Sequence, residues 1–242
     1  MQVHARRLGV IGDVHAEHER LNAALEHLSR EGVDAICCTG DLADGEGDVD
    51  ACCELLAAAG VLSVAGNHDR WLLANRMRNV PYAHRLLDIS QGSHEFLSNL
   101  PPTLTIETPL GAALVCHGVG ENDLRKVWPG SVRMPIERSP ELDALIALGE
   151  THFVINGHLH YRVIVNFDAL TLLNAGTLKG DHRPGVSIVD FGEGVVSAFE
   201  FDANLSLHRV ALRSVRQEEG RRIWRDTQEF DSGWTPVTLY AA

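Results

Sequence analysis

Five short segments of the chain place aspartate, asparagine or histidine directly after an apolar run. The segments are G-D-V-H (12–15), G-D (40–41), G-N-H-D (66–69), C-H-G (116–118) and G-H-L-H (157–160). Their side chains with metal-binding chemistry are Asp13, His15, Asp41, Asn67, His117, His158 and His160. Such a mixed set of oxygen and nitrogen ligands suits Mn²⁺, Fe or Zn²⁺ better than a metal that prefers thiolate. These seven side chains are too many for one tetrahedral ion. They predict two ions that share a carboxylate, roughly 3.5–4 Å apart.

Each of these residues also has a purely structural interpretation. The two aspartates could be turn residues or helix caps, and Asn67 could occupy a left-handed turn. A lone histidine such as His117 could be a hydrogen-bonded core residue, and the G-H-L-H pair could face water. These explanations would have to hold at five strand ends at once, which favours the metal site. In extended backbone, residues two apart point to the same side. Asp13 and His15, and likewise His158 and His160, are therefore each expected to offer two ligand atoms to one place.

The ligand-bearing segments must be positioned by the elements that precede them. In the first third, apolar runs at 7–13, 34–41 and 61–69 alternate with helix-like patterns at 17–30 and 48–60. This alternation predicts right-handed βαβ units and a parallel sheet. Loops at the carboxyl ends of such strands are where open α/β sheets bind ligands.

The pattern changes in the second half of the chain. Strands at 103–109 and 111–118 are joined by a short turn, a helix is predicted over 139–149, and another strand over 152–158. The short strands that follow are typical of an antiparallel meander. We expect two sheets, one from each half, packed face to face with helices outside, in a domain over residues 1–213. Residues 214–242 are charged and irregular, and they are expected to pack on that domain or trail from it.

Composition narrows the class of protein. The chain has 242 residues, of which 45% are hydrophobic and 22% charged, with a formal net charge of −12. An acidic chain without a basic block is a poor binder of nucleic acid. No apolar run reaches the roughly 18 residues of a membrane helix, and no signal-peptide pattern is present, so a cytoplasmic location is expected. The five cysteines include no C-x-x-C pair and are expected to be buried, reduced thiols.

The same five segments resemble, in order and spacing, the signature blocks of the calcineurin-like metallophosphoesterases over about residues 7–192. N-A-G-T (174–177) and the run at 97–111 resemble the small bacterial and archaeal members of phosphodiesterase type. The resemblance implies an α/β fold, a four-layer αββα sandwich with two mixed β-sheets. It implies a first ion held by Asp13, His15, Asp41 and His160, and a second held by Asp41, Asn67, His117 and His158. Asp41 would be the bridge.

The resemblance also implies a mechanism. A hydroxide that bridges two divalent ions would attack phosphorus in line, because bound metal lowers the pKa of water toward neutrality. His68 would protonate the leaving group, and Asp69 would orient the ring of His68. Mn²⁺ is the expected ion, with Fe, Zn²⁺ or Ni²⁺ as alternatives.

Departures from the subfamily patterns bear on the substrate. Ala16 follows the first block, the second block G-D-L-A-D-G (40–45) has no arginine, and the third block ends in Asp69 where protein phosphatases have glutamate. These features disfavour protein phosphatase activity and favour phosphodiesters, including nucleotides. Three further cationic side chains are candidate substrate contacts: Arg70, His182 and Arg183.

Other functions stay open on the sequence alone. The chain could be a phosphomonoesterase or a protein phosphatase. A nuclease would be expected to carry DNA-binding segments, and this short acidic chain shows none. A non-catalytic scaffold of the same fold, such as the retromer subunit, departs from the motif at the catalytic histidine, whereas His68 is present here. The expected partner is a small phosphoester, without a membrane or stably bound nucleic acid; the oligomeric state is open.

Overall fold

The computed structural model describes residues 3–76, 78–128, 138–216, 227 and 237–241. In chain order the elements of the first half are β1 (Val3–His4), β2 (Arg7–Ile11), α1 (His18–Arg30), β3 (Ala35–Cys38), α2 (Val49–Ala58), β4 (Leu62–Ser63), α3 (Asn67–Leu73), a 3₁₀ turn (Leu86–Asp88), α4 (Gln91–Ser98), β5 (Thr103–Glu107) and β6 (Ala112–Cys116). Those of the second half are α5 (Pro140–Leu148), β7 (Thr151–Asn156), β8 (Arg162–Asn166), β9 (Thr171–Ala175), β10 (Gly185–Asp190), β11 (Val195–Phe201), β12 (Leu207–Ser214) and β13 (Val237–Thr238).

The strands form two mixed sheets. One has the order β1-β5-β6-β7-β9-β8-β13, and the other has the order β12-β11-β10-β2-β3-β4. Strands β2, β3 and β4 are parallel, which confirms the predicted βαβ units. The meander β10-β11-β12 is antiparallel, as predicted for the second half.

The expectation of one sheet from each half of the chain is wrong. Strand β10 pairs antiparallel with β2, from Val186 opposite Ile11 to Asp190 opposite Arg7, so the late meander extends the early sheet. The physical reason is that β2 is buried along almost its whole length. Its backbone N–H and C=O groups therefore need partners on both sides, and β3 supplies only one of them.

The layers follow from where the apolar side chains lie. A cluster that includes Leu8, Val10, Val115 and Ile155 fills the space between the two sheets. A second cluster joins α1 and α2 to the outer face of the six-stranded sheet, and a third joins α5 to the outer face of the seven-stranded sheet. The predicted four-layer αββα sandwich is confirmed. All five cysteines are buried free thiols.

Local sequence signals explain where the helices begin and end. Asp48 caps α2 by accepting a hydrogen bond from the backbone N–H of Ala51, and Ser139 caps α5 in the same way. Gly149 ends α5 in the left-handed conformation, with φ of 69°. The third apolar run was predicted as one strand over 61–69, but its end is helical, because α3 begins at Asn67.

The C-terminal residues that are described contact the rest of the fold. Strand β13 pairs antiparallel with β8, and the hydroxyl of Thr227 donates to Asp143. Most of the predicted extension over 214–242 lies outside the described residues, so its boundary stays a prediction. Within the described part of the chain, no helix combines the length and the apolar character needed to cross a bilayer.

Candidate metal centre

The predicted ligands meet at one edge of the sandwich. Asp13 and Asp41 follow β2 and β3 of the six-stranded sheet, whereas His117 and the G-H-L-H segment follow β6 and β7 of the seven-stranded sheet. Asn67 is the first residue of α3. Because both sheets direct the carboxyl ends of these parallel strands to the same edge, the site lies across the interface between the sheets.

Asp13, His15 and His160 form the first group of ligand atoms. The Nε2 atom of His160 lies 3.1 Å from Oδ2 of Asp13 and 2.9 Å from Nε2 of His15. Asp13 and His15 are buried, and His160 is partly exposed. This group can therefore offer two imidazole nitrogens and one carboxylate to a single cation, with an open side toward solvent.

Asp41, His117 and His158 form the second group. Nε2 of His117 lies 3.2 Å from Oδ2 of Asp41 and 3.0 Å from the amide oxygen of Asn67. The four side chains are those that the family resemblance implies for the second ion. The arrangement brings one carboxylate, one amide oxygen and two imidazoles to the same place.

Asp41 lies between the two groups. Its Oδ2 atom is 3.2 Å from His117 of the second group and 4.0 Å from Nε2 of His15 of the first. Its other oxygen, Oδ1, accepts a hydrogen bond of 2.8 Å from the backbone N–H of His68. A carboxylate in this position has the geometry that a bridging ligand requires, and the bridging role itself stays a prediction.

The hydrogen bonds behind the histidines fix which nitrogen faces the site. Nδ1 of His117 donates to the carbonyl oxygen of Thr39 at 2.8 Å, and Nδ1 of His15 donates to the carbonyl oxygens of Ala43 and Asp44. A ring nitrogen that donates carries the proton, so Nε2 of each ring faces the site and can coordinate a metal ion when that nitrogen is deprotonated. Nε2 of His158 is buried without a hydrogen-bond partner among the described residues. These features fit divalent metal ions.

The charges of the site support the same conclusion. Burial opposes ionisation of Asp13 and Asp41, but attraction by His117 outweighs it and holds the pKa of both carboxyls below the ordinary value. Burial lowers the pKa of His117, but the two aspartates raise it to about 10. Burial and the nearby charge of His117 lower the pKa of His158 to about 4. The two carboxylates thus form a buried negative centre that favours a cation.

Glycines before the ligands allow the backbone to approach the carboxylates. A Cβ atom on Gly66 would lie 2.1 Å from Oδ1 of Asp41, and one on Gly157 would lie 2.1 Å from Oδ1 of Asp13. At Gly157 the close approach allows the backbone N–H of His158 to donate hydrogen bonds to both oxygens of Asp13, at 2.9 and 3.1 Å. The glycines in the motifs are therefore steric requirements of the site.

The predicted reason for the two-residue spacings is wrong. His15, His158 and His160 have φ values of 46°, 68° and 54°, so these segments are left-handed turns and not extended backbone. The side chains converge because strained turns direct them individually. This explains why His158 and His160 belong to different groups of ligand atoms.

The N-A-G-T segment (174–177) is hydrogen-bonded to both the first motif and the last motif. The amide of Asn174 donates to the carbonyl oxygen of Gly157 at 2.6 Å, and the hydroxyl of Thr177 donates to the carbonyl oxygen of Asp13 at 2.7 Å. The N–H of Asp13 in turn donates to the carbonyl oxygen of Gly176 at 3.1 Å. This segment therefore positions the loops that carry Asp13 and His158.

His68 and Asp69 occupy the first turn of α3, but the predicted contact between them is wrong. Asp69 is buried and accepts hydrogen bonds from the backbone N–H groups of Leu42, Ala43 and Gly66. Burial, together with the charge of Asp41, raises the pKa of Asp69 to about 7. Asp69 thus ties the second motif to the third and does not reach the ring of His68.

Asp44 is the carboxylate that holds His68. Its Oδ2 atom lies 2.6 Å from Nδ1 of His68 and accepts from Nε of Arg78 at 2.6 Å. Its Oδ1 atom contacts the same guanidinium and accepts from the backbone N–H of His84 at 2.9 Å. The sequence interpretation missed both Asp44 and Arg78. The spacing of the two aspartates in G-D-L-A-D-G was the available signal for Asp44.

The three candidate substrate contacts differ in position. Arg70 donates to both carboxylate oxygens of Asp123, at 2.6 and 2.9 Å. The ring of His182 lies edge-on to that of His160, with centroids 5.1 Å apart, which places it beside the first group of ligands. The guanidinium of Arg183 donates to Glu200 and lies over the ring of Tyr240. His182 is thus the best placed of the three, and all three substrate roles stay predictions.

Mixed sheets in an αββα sandwich, with paired aspartate and histidine clusters at one edge, define the class of metallophosphoesterases. The profile of the calcineurin-like phosphoesterase superfamily domain matches residues 7–194. Because this match spans more than half of the 242 residues, the chain belongs to that superfamily. The resemblance inferred from the motifs is confirmed.

Individual proteins resemble this chain in sequence or in fold. An uncharacterized protein of Methanocaldococcus jannaschii is 26% identical over 239 residues, which cover 90% of this chain and 97% of that protein. A metallophosphoesterase from Sphaerobacter thermophilus has a TM-score of 0.59 at 20% identity, covering 88% of this chain and 90% of that one. An archaeal phosphodiesterase has a TM-score of 0.52 at 15% identity, covering 80% and 99%. At these identities the solved structures show the shared fold.

Proposed function

We propose that this protein hydrolyses small phosphodiesters, nucleotides among them, with two divalent metal ions. The observation that carries the proposal is the position of Asp41 between two groups of ligand atoms, with His68 beside it. Asp13, His15, Asp41 and His160 would hold one ion, and Asp41, Asn67, His117 and His158 the other. When bound, the ions supply charge stabilisation for the phosphoryl oxygens and a lowered pKa for attacking water. The ligand set suits Mn²⁺.

His68 is proposed to deliver a proton to the leaving oxygen. Its Nδ1 atom is held by Asp44, so the other ring nitrogen, Nε2, is free to face the substrate. Burial lowers the pKa of His68, but the hydrogen bond to Asp44 and the charge of Asp41 raise it above the ordinary value of 6.5. A raised pKa favours the protonated imidazole that a general acid requires.

The charges around the site favour a diester over a monoester. A diester carries one negative charge, whereas a monoester at neutral pH carries about two. Two of the arginines near His68 already have carboxylate partners, Arg78 with Asp44 and Arg70 with Asp123. Because these two guanidinium groups are already engaged by carboxylates, we propose that the site prefers a substrate with one negative charge to a substrate with two. The similarity in fold to an archaeal phosphodiesterase supports the same preference.

A substrate panel tests the proposal. Metal-stripped protein is supplied with Mn²⁺, Ni²⁺, Zn²⁺ or Mg²⁺, and turnover of bis(4-nitrophenyl) phosphate is compared with turnover of 4-nitrophenyl phosphate. We expect faster cleavage of the diester, and faster cleavage of the monoester would refute the diester preference.

Two substitutions separate the proposed roles. For a diester with an alkyl leaving group, His68→Ala should lower turnover at least about 100-fold, because the general acid is lost, while metal content stays near that of the unmodified protein. Asp41→Asn should abolish metal binding, because it removes a charge shared by both sites. Full metal occupancy in Asp41→Asn, or loss of metal in His68→Ala, would contradict the assignment.

A further inference from the structure

A cavity opens beside His68, and none of the candidate metal ligands is among the described residues that line it. Its volume is about 380 Å³, within the range of about 300–1,000 Å³ that is typical of small-molecule sites. The described residues that line it are His68, Trp71, Arg76, Arg78, Asn79 and Val80. Apart from His68, none of these residues belongs to the five motifs.

The position of His68 decides which part of a substrate could occupy this cavity. His68 forms part of the wall, and it is the side chain proposed to protonate the leaving oxygen. The group attached to that oxygen must therefore lie next to the ring of His68. The cavity is thus placed to receive the leaving group of the reaction.

Trp71 supplies a fixed aromatic wall. Its ring packs edge-on against His68, with centroids 5.1 Å apart, and the guanidinium of Arg70 lies 5.8 Å from its centroid. Arg70 is itself held by two hydrogen bonds to Asp123. An indole braced in this way loses little conformational entropy when a flat ring stacks on it.

The remaining lining residues add a cation and an amide. Arg78 is neutralised by Asp44, whereas no carboxylate within the described ranges pairs with Arg76. Arg76 and Asn79 are both exposed. An unpaired guanidinium attracts aromatic rings, and an amide can donate to and accept from the edge of a base. Val80, which is 41% exposed, forms an apolar part of the rim.

We infer that the cavity binds a nucleoside as the leaving group of a phosphodiester, with its base stacked on Trp71. This inference rests on the proposed phosphodiesterase function, because it assigns the leaving group of that reaction. A simple alkyl leaving group would leave the indole and the amide without partners. A base satisfies both, and stacking of one base on an aromatic side chain changes affinity about tenfold or more.

Adenosine is the probe for the cavity, because it contains a base and no phosphate. Calorimetry on the full chain in the presence of a chelator measures its affinity without turnover, and inhibition of bis(4-nitrophenyl) phosphate cleavage measures it in the metal-loaded enzyme. Trp71→Ala should weaken adenosine about tenfold or more, whereas Trp71→Phe should retain affinity within about threefold because a planar ring remains. Arg85→Gln is the matched control, because Arg85 pairs with Asp88 and does not line the cavity.

A second variant keeps the inference testable if Trp71→Ala does not fold. Val80→Trp enlarges an exposed side chain on the rim, so it should block adenosine while the melting temperature stays unchanged. Equal affinity of Trp71→Ala and the unmodified protein for adenosine, or no binding of adenosine at all, would overturn the inference even if the diester is cleaved. Adenosine binding that depends on Trp71, in a protein that cleaves no diester, would instead refute the proposed function and leave the binding site standing.

Discussion

Replacing Asp44 by asparagine removes one negative charge from the carboxylate that joins His68, Arg78 and the backbone of His84. The side chain of Asp44 is fully buried, and that of Arg78 is 7% exposed. Asparagine has the same shape but only one oxygen acceptor, so it cannot receive hydrogen bonds from all three donors. The substitution therefore tests the hydrogen-bonding role of Asp44 with little change in packing.

The expected loss of stability follows from the buried guanidinium. Removing one partner of a buried ion pair costs about 3–5 kcal/mol, and the retained amide oxygen places Asp44→Asn near the lower value. Burial alone would raise the pKa of Asp44, but the hydrogen bonds from His68 and Arg78 lower it to about 2. Because this pKa lies below the ordinary 3.8, the stabilisation is complete above pH 3.8 and is lost as the pH falls through about 2. Urea unfolding should show the difference between the two proteins shrinking over that range.

The expected loss of activity depends on the leaving group. Without Asp44 the ring of His68 loses both its orientation and its preference for the protonated form. For an alkyl leaving group, turnover should fall about 100-fold, equivalent to about 3 kcal/mol, because general acid catalysis contributes at least that much. For 4-nitrophenolate, which departs without a proton, the loss should stay below about fivefold.

The assay is steady-state turnover of two diesters that differ in leaving group, with metal content measured on the same samples. Asp88→Asn is the control, because it removes an aspartate that pairs with Arg85 near the surface. Equal losses on both diesters would refute the assignment of Asp44 to proton transfer through His68. Loss of metal from Asp44→Asn would show instead that Asp44 acts on the metal centre.

Three further predictions concern the fold. Gly157→Ala would place a Cβ 2.1 Å from Oδ1 of Asp13, so we expect loss of metal and a lower melting temperature, whereas Gly92→Ala, with its nearest atom at 3.9 Å, should be tolerated in both measurements. Burial raises the pKa of the five cysteine thiols above the ordinary 9.0, so Ellman's reagent at pH 8 should react with them only after denaturation; rapid reaction of the native protein would contradict their burial. Tyr240→Phe removes the hydroxyl that accepts a hydrogen bond of 2.9 Å from the backbone N–H of Arg162. The unfolding free energy should therefore fall by about 1 kcal/mol. An unchanged urea midpoint would show that this bond contributes nothing.

Short-range patterns in the sequence were sufficient for the local elements. The cap residues Asp48 and Ser139 and the left-handed Gly149 mark helix ends that the structure shows. The helix-like pattern over 17–30 forms α1, and its apolar residues Leu21, Leu25 and Leu28 are buried. These features depend on residues within one or two helical turns of each other, so they can be predicted from the local sequence alone.

Such local patterns could not predict which distant strands pair with each other. The apolar residues of β10 indicate that this strand is buried, but they do not indicate whether it pairs with β2 or with β9. The same limit applies to Asp44 and Arg78, which are 34 residues apart. Arg78 lies in the irregular segment that follows α3. No periodicity relates residues that are brought together only when that segment packs against the site.

The sequence by itself determined the residue types available to the site: the identities and order of the candidate metal ligands, the glycines beside them, and the βαβ arrangement that places several of them at strand ends. Only the tertiary structure decided which carboxylate holds His68, which turns direct His158 and His160 to different groups, and where the cavity beside Trp71 lies. The physical reason is that ligand type is a property of a residue. Orientation, in contrast, depends on left-handed turns and buried hydrogen bonds that form only when both sheets are packed together.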